Sequence, residues 1–566
     1  KYFAAEAQKS PIKIDNQDVY LLEKYLNQIT KITDDMILSH YITGKILAPH
    51  TFDTKKLIYP FGLNISQKQA VENAFSSRIS IIQGPPGTGK TQTILNIIAN
   101  VILQNKSIAV VSNNNSAISN IEEKLKKHNL DFLAAKLGSR QNKENFIANP
   151  KDYPDLSNFT EGQKNNDLIS QTSSRLAAVA KILKSQNKLA LCQQEKEKTK
   201  LEHIHFNQEH SDLKTDKKLE RCLSSLAADK IFKLWSYCLS QNTSRCSLKN
   251  YLYFFHRLGW RYLFVKNKNI FSQILNLQQS FYSQKLSELE IKISKLEKYL
   301  SKNKLPDTLS LITNLSFTLL KSHIYKRIKN KVQTPRPMYN GFSISKEFLT
   351  EYPIILSTLF SLKNICQKDF IFDYLVVDEA SQADLLTSVI AMSCAKNIIV
   401  VGDIKQLPNI ITREAKEISL KLLQEYPVNK AYQFHQNSLL SSILALYPEA
   451  PNVLLREHYR CAPKIIGFCN HKFYDDKLII LPKESHDKDT LKAIQTPPGN
   501  HARMHVNQRQ IDIIKEEIAP YLNKNLSIGI ITPYRNQVNK LQEDFKNNTN
   551  IEIDTIHKFQ GREKDI

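Results

Sequence analysis

The 566-residue sequence holds only 14 glycines, about 2.5% where ordinary proteins carry about 7%. A chain that avoids glycine forgoes most left-handed turns, so the few it keeps mark places where backbone must bend or be approached closely. Its eight cysteines form no Cys-x-x-Cys pair. That excludes zinc-ribbon and dithiol redox spacings and leads us to expect a reducing, cytoplasmic compartment. Cys461, Cys469 and His471 lie near one another, but two thiols and one imidazole leave a zinc site a ligand short. No run of 18 or more uncharged apolar residues is present, so no transmembrane helix is expected. No secretory leader is visible either. The chain opens on Lys1 rather than Met, which we read as a fragment. Acids are the scarcer charge, 55 against 78 Lys and Arg, for a net +23. Such an excess suits a polyanionic partner, nucleic acid ahead of an anionic membrane. Hydrophobic residues at 41% and charged residues at 23% exclude wholesale disorder, and the length accommodates three or four domains.

What is present begins with an alternation. Ile79–Gln83 reads as a buried parallel strand, and Thr91–Leu103 carries Ile94, Ile97, Ile98 and Val101 as a helical stripe. Ile108–Val111 and Ala117–Lys127 repeat the pair. Strand and helix in turn predict a parallel sheet with crossovers. The rhythm stops over 141–350, a polar, Lys-rich and helical stretch, and resumes at Pro353–Thr358, Tyr374–Asp378 and Ile398–Gly402. A second set is read at Asn452–Leu455, Ser527–Thr532 and Ile551–Thr555. Within the insertion, Leu286, Leu289, Ile293, Leu296 and Leu300 form a short heptad seam, with Arg175–Leu191 as its expected antiparallel partner.

Three of the 14 glycines fall in Gly84-Pro85-Pro86-Gly87-Thr88-Gly89-Lys90-Thr91, the G-x-x-x-x-G-K-[ST] pattern between a strand and a helix. Amides of such a loop cradle phosphate oxygens at a helix N-terminus. Gly84, Gly87, Thr88 and Gly89 would hold phosphates, Lys90 would reach the β- and γ-phosphates, and Thr91 would bind Mg²⁺. Val376-Val377-Asp378-Glu379 is an apolar strand ending in two acids. Asp378 would hold the Mg²⁺ shell, and Glu379 would orient or deprotonate an attacking water, which implies hydrolysis of ATP. Gln406, after the strand ending at Gly402, can both donate and accept, which suits sensing a γ-phosphate or the lytic water.

In order along the chain stand Asn64-Ile65-Ser66-Gln67, the loop at 84–91, Ser112 through Ala117, Ser357-Thr358, Asp378 through Gln382 and Gly402 through Pro408. They are followed by Glu457-His458-Tyr459-Arg460, Ile531-Thr532-Pro533-Tyr534 and Phe559 through Asp565. This set resembles the superfamily 1 helicases, in particular the 5′-to-3′ branch that includes the nonsense-mediated-decay RNA helicase and its bacterial AAA-domain relatives. The resemblance covers 61–140 and 353–566. It implies two RecA-like parallel-sheet domains of the P-loop NTPase class, one formed by 61–140 and 351–445 and the other by 446–566. Residues 1–60 would be a helical accessory segment and 141–350 a basic, aromatic insertion with a stalk. It further implies that Gln67 reads adenine, Tyr459 flanks the nucleotide, Glu563 contacts the ribose and Arg460 is the arginine finger. Ser112, Asn113, Asn114, Ser357, Thr358, Thr532, Pro533, Thr555, His557 and Gln560 would track single-stranded DNA or RNA.

The sequence departs from the family in three ways. Cys461-Ala462-Pro463 stands where Met-His-Pro is common. The last motif, with a second γ-phosphate arginine, does not occur before Ile566, so the fragment is expected to bind ATP but hydrolyse it poorly; the resemblance also implies an additional C-terminal domain, such as a nuclease. Residues 1–60 leave little room for the small β-barrel often found there. The insertion has thirteen aromatics and nine Lys or Arg over 230–287 without one acid, and 308–346 is also acid-free. Either a nucleic-acid arm or a helical subdomain with an aromatic core fits this composition, with a membrane or protein partner as further options. The expected activity is an ATP-dependent helicase or translocase. The alternatives are an ATPase that remodels protein–nucleic-acid complexes without unwinding, and a fragment that binds nucleotide and strand without hydrolysis.

Overall fold

Short β-branched runs separated by helices assemble here into one large sheet. The structure, a computed structural model, describes residues 1–9, 12–14, 17–45, 51–113, 115–149, 165–211, 217–240, 248–258, 270–329, 343–482, 490–521, 525–559, 562 and 564–566. A hairpin of β1 (Ile12–Ile14) and β2 (Gln17–Val19) lies near the N-terminus. Then come β3 (Ile79–Gln83), β4 (Ile108–Ser112), β5 (Ala134–Lys136), β6 (Ile354–Thr358), β7 (Phe372–Val377), β8 (Ala395–Gly402) and β9 (Asn452–Leu454). These seven form a sheet in the order β5-β6-β4-β7-β8-β3-β9, parallel throughout. The strands read as continuous apolar runs because helices cover both faces. Along β3, Ile82 faces one core, with Ile94, Ile97 and Ile98 of the helix Lys90–Leu103. Ile79 and Ile81 face the other, with Ile37, Leu439 and Ile443.

Two placements differ from the sequence reading. Asn452–Leu454, expected in the second domain, is the edge strand of the first sheet, with Ile82 opposite Val453. The first lobe therefore runs past residue 445, and the crossover to the second comes after Leu455, whose amide donates to Gln83 O at 2.7 Å. The described helices of 1–9 and 21–43 are built into the first lobe. Tyr2 and Tyr25 pack with Leu385, Leu386 and Leu422, and the Tyr41 and Ser442 hydroxyls lie 2.6 Å apart.

The insertion is rooted in the same core. Leu176, Val179, Ile182 and Leu183 of the helix Asn165–Glu209 pack with Ile312, Leu319 and Ile324 of the helix Leu305–Ile328 and with the sheet's own helices. The first of these helices has 45 residues, about 68 Å at 1.5 Å per residue. Ile270–Asn303 runs antiparallel to it, with Lys196–Glu290 at 3.0 Å, Lys285–Glu195 at 2.7 Å and His203 stacked on Tyr282. The contacts of this helix pair thus run over 195–206 against 282–290, beyond the C-terminal end of the 175–191 stretch expected as the seam's partner. The apolar residues of 175–183 lie in the first lobe's core, against which Leu300 of the seam also packs. Leu289 of the seam is buried, and Ile293, Leu296 and Leu300 are half-buried between exposed neighbours. Phe254, Ile231, Leu234 and Leu277, with Trp235 and Phe281 against them, form a separate helical core. That accounts for these aromatics as packing, while Phe232 and Phe271 remain exposed. Trp260, Tyr262 and Phe264 lie outside the described residues. No described helix is long and apolar enough to cross a membrane.

The second lobe begins with β10 (Glu457–His458), parallel to β11 (Ile479–Ile480). A hairpin of β12 (Ala502–Arg503) and β13 (Val506–Asn507) follows, then the parallel pair β14 (Ile528–Thr532) and β15 (Ile551–Thr555). Ile511, Val538, Leu541 and Phe545 form the core of this last part. Cys461 and Cys469 pack on Ile466, Tyr474 and Leu478.

Sequence inspection missed two asparagines in the otherwise apolar helix Lys90–Leu103. Asn100 Oδ1 accepts from Ile58 N at 2.9 Å and its Nδ2 donates to Ile58 O at 2.7 Å. One turn earlier, Asn96 does the same for Phe61 N and Gly62 O. These side chains supply the hydrogen bonds that an irregular buried segment cannot make with itself. Replacing Asn100 with Ala leaves two buried backbone groups unsatisfied. We expect a loss of about 2–4 kcal/mol in urea unfolding of the chain; a loss below about 0.5 kcal/mol would contradict this role.

Candidate nucleotide site between two lobes

The site lies at the carboxyl edge of the large sheet, where adjacent parallel strands deliver their loops. β3 ends in the glycine loop, its neighbour β8 ends at Gly402 before Asp403, and β7, next again, ends before Asp378. Gly87 and Gly89 have φ of +85° and +86°, conformations that favour glycine. Gly89 caps the helix opened by Lys90. The Thr88 side chain is buried and donates to Pro85 O at 2.8 Å, so it braces the loop from within. Lys90 Nζ donates to Gly84 O at 2.9 Å and stands 4.0 Å from Glu379.

Gln67 is almost fully buried, and its amide is engaged on both sides. Its Oε1 accepts from Asn64 N at 3.1 Å, completing a capping box, and its Nε2 donates to Gln92 Oε1 at 3.0 Å and Thr88 O at 3.3 Å. Gln67 thus links the N-cap of its helix to the phosphate loop, and reading adenine would require exchanging one of these partners.

The two acids that follow β7 sit in a low-dielectric setting. Burial, then the adjacent Glu379, pushes the Asp378 carboxyl up to about 6. Glu379 has a left-handed backbone (φ +52°), and its Oε2 is buried without a hydrogen-bond partner among the described residues. A buried acid held against its preference and an unsatisfied carboxylate oxygen fit a site that takes up a cation and a water. Thr91 and Asp378 are the residues that would hold Mg²⁺.

The second lobe closes on the same loop. Tyr459 N donates to Gly87 O at 3.1 Å. A Cβ on Gly87 would come within 2.7 Å of His458 Nε2 and 2.8 Å of Arg460 Cβ. Lys90 and Arg460 therefore flank one loop from opposite lobes. Tyr459 is half-exposed beside it. Burial and then the Arg460 guanidinium push His458 down to about 4. A second bridge was not anticipated: Tyr474 OH donates to Asp403 Oδ2 at 2.6 Å, and the same oxygen accepts from Gln406 Nε2 at 3.0 Å. The Gln406 side chain is thereby tied to the second lobe.

The expected strand-contacting residues fall into two groups at the carboxyl ends of two sheets. Ser112 pairs with Thr358 across β4 and β6, and Thr532 pairs with Thr555 across β14 and β15. Ser112, Ser357 and Thr532 are buried, so their side chains are not offered to a strand and only their backbones remain for that role. Thr358 is partly exposed, and its hydroxyl donates to Ser361 Oγ. Asn113, Pro533 and His557 are exposed, although Asn113 donates to Gln382 O at 2.9 Å. Asn114, Gln560 and Glu563 lie outside the described residues.

Comparison with known proteins identifies a family. A family model described as an AAA domain matches residues 62–414, and a second with the same description matches 435–566. The chain belongs to the AAA-domain superfamily 1 helicases. It is similar to an uncharacterized ATP-dependent helicase of Methanocaldococcus jannaschii, 25% identical over 543 residues that make up 91% of this chain and 64% of that protein. Helicase SEN1 of Saccharomyces cerevisiae is 24% identical over 543 residues, 89% of this chain and 20% of the relative. The Schizosaccharomyces pombe DNA replication ATP-dependent helicase/nuclease dna2 matches 43% of this chain at 24% identity, across 19% of its own length. The chain thus spans under two thirds of each of these helicase relatives.

His458 titrates below its unfolded value of about 6.5, so the unfolded state binds the extra proton first as pH falls. Its contribution to stability is present above about 6.5 and is lost progressively down to about 4. Unfolding free energy should drop over that window by roughly 2–3 kcal/mol from this group, and His458→Gln should flatten the profile. Superimposable pH profiles for the two proteins would refute the assignment.

Proposed function

We propose that the chain is the motor of an ATP-dependent nucleic-acid helicase or translocase, in which hydrolysis of Mg-ATP between two lobes drives movement along single-stranded DNA or RNA. The observation that carries this reading is the contact of Tyr459 and Arg460 with the phosphate loop, because it makes one nucleotide pocket out of both lobes. The helicase names of the relatives support it, as does the excess of basic residues.

The residues divide the work by position. The amides of Gly87 to Lys90 cradle the phosphates, and Lys90 neutralises charge on the transferring group. Thr91 and Asp378 would hold Mg²⁺, which would supply further charge neutralisation. Glu379, with its unpartnered oxygen, accepts a proton from the attacking water, and Gln406 orients that water. Arg460 stabilises the charge developed at the γ-phosphoryl group, so turnover requires the lobes to be together. The half-exposed ring of Tyr459 offers a face for the base. Loss of the γ-phosphate removes what Arg460 binds and lets the lobes part. The exposed carboxyl edges near Asn113, Thr358, Pro533 and Thr555 then shift relative to one another along the strand, with contacts to backbone rather than bases.

Steady-state ATPase should rise on adding single-stranded DNA or RNA, and a rate indifferent to both would refute the motor. Lys90→Ala should abolish turnover. Arg460→Ala should lower kcat by about 10³-fold or more while changing ATP affinity only a few-fold, since the finger acts on the transition state. Equal losses in affinity and turnover would contradict that role.

A further inference from the structure

The insertion reaches the nucleotide site itself. Asn187, on the helix Asn165–Glu209, donates from Nδ2 to Glu457 Oε1 at 2.7 Å. Two turns further on, Gln194 accepts from Ile480 N at 3.2 Å and donates to Leu478 O at 3.4 Å. Residues seven apart share a helix face, so one face of this helix grips both strands of the small sheet in which Glu457 opposes Ile479. Glu457 stands three residues before Arg460. Its carboxylate is 1% exposed and also receives Ser66 N at 3.4 Å and the Ser66 hydroxyl. A buried carboxylate is tolerated only while its acceptor sites are filled. The donor from the insertion is therefore part of what holds this strand where it is.

Resting on the motor reading, we propose that Asn187 and Gln194 are positioning residues for hydrolysis, holding the Glu457–Arg460 segment so that the finger meets the phosphate loop. The helix suits this role because it is anchored on both sides of the contact. Before it, Val179 and Leu183 lie in the first lobe's core. After it, Glu195 and Lys196 pair with the antiparallel helix. A segment fixed at both ends transmits its position to whatever bonds between them. The second lobe's local core, Ile466, Tyr474 and Leu478, includes neither Asn187 nor Gln194, so removing either side chain alters placement of the strand more than its folding.

Steady-state ATPase at saturating single-stranded DNA, with hydrogen exchange of nucleotide-free protein over 457–460, tests this. Asn187→Ala should lower kcat about tenfold, as expected for loss of one charge-assisted hydrogen bond, with KM for ATP within twofold, and should speed exchange at 457–460. Asn187→Asp should be worse than Ala, because two carboxylates would then face each other. Asn187→Asp combined with Glu457→Gln exchanges donor and acceptor and should recover most of the kcat lost in Asn187→Asp alone. Unchanged kcat and exchange in Asn187→Ala would overturn the proposal, as would a double variant no better than Asn187→Asp. Absence of hydrolysis in the wild-type chain would instead refute the motor reading, and the exchange comparison would still decide whether Asn187 holds the strand.

Discussion

The arrangement depends on one close approach, backbone of the second lobe against the phosphate loop at Gly87. There the Tyr459 amide meets Gly87 O, and no side chain fits between the loop and His458 or Arg460. A phosphate site open on one side binds nucleotide. One covered by a second, separately folded lobe couples nucleotide state to the distance between lobes. The scarcity of glycine elsewhere in the chain accords with this demand, since two of the residue's few left-handed positions are used in this loop.

Around that approach stand three bridges of different origin. Ser66, beside the capping box, reaches Glu457. Asp403, between β8 and Gln406, takes the Tyr474 hydroxyl. Asn187 and Gln194 come from the insertion. Each is a buried or half-buried polar contact, weak singly and exacting in geometry. Together they give the second lobe a defined seat, and separation of the lobes would break all of them at once. The long insertion is in this sense part of the site's frame, because its root lies in the first lobe's core and its next turns touch the second.

Much of this was legible in residue order. The loop at 84–91, the Asp378-Glu379 pair and Glu457 through Arg460 stand out because phosphate chemistry requires particular groups at short, fixed spacings. The heptad seam from Leu286 to Leu300 was legible for a similar reason, since its period is local. Its partner was legible only in part, because a long helix has several apolar stretches, and only tertiary packing decides that Val179 and Leu183 enter the first lobe's core while Glu195 and Lys196 pair with the antiparallel helix. Asn452–Leu454 reads as a strand anywhere. Its place beside β3 depends on an edge left open by β-strands far away in sequence. Ser112, Ser357 and Thr532 show the same limit: small polar residues at strand ends are assigned to a strand-binding edge by order, yet burial turns their side chains inward.

The amino-acid order alone set out a phosphate-loop pattern, two acids and an arginine, the groups that the proposed function assigns to a triphosphate, because those groups are defined by their immediate neighbours. Only the tertiary structure decided that the arginine's strand is seated by Ser66 and Asn187 and that Gln406 is tied through Asp403 to Tyr474. Those pairings join residues tens to hundreds of positions apart, and a hydrogen bond is set by distance and angle in space, which no spacing along the chain encodes.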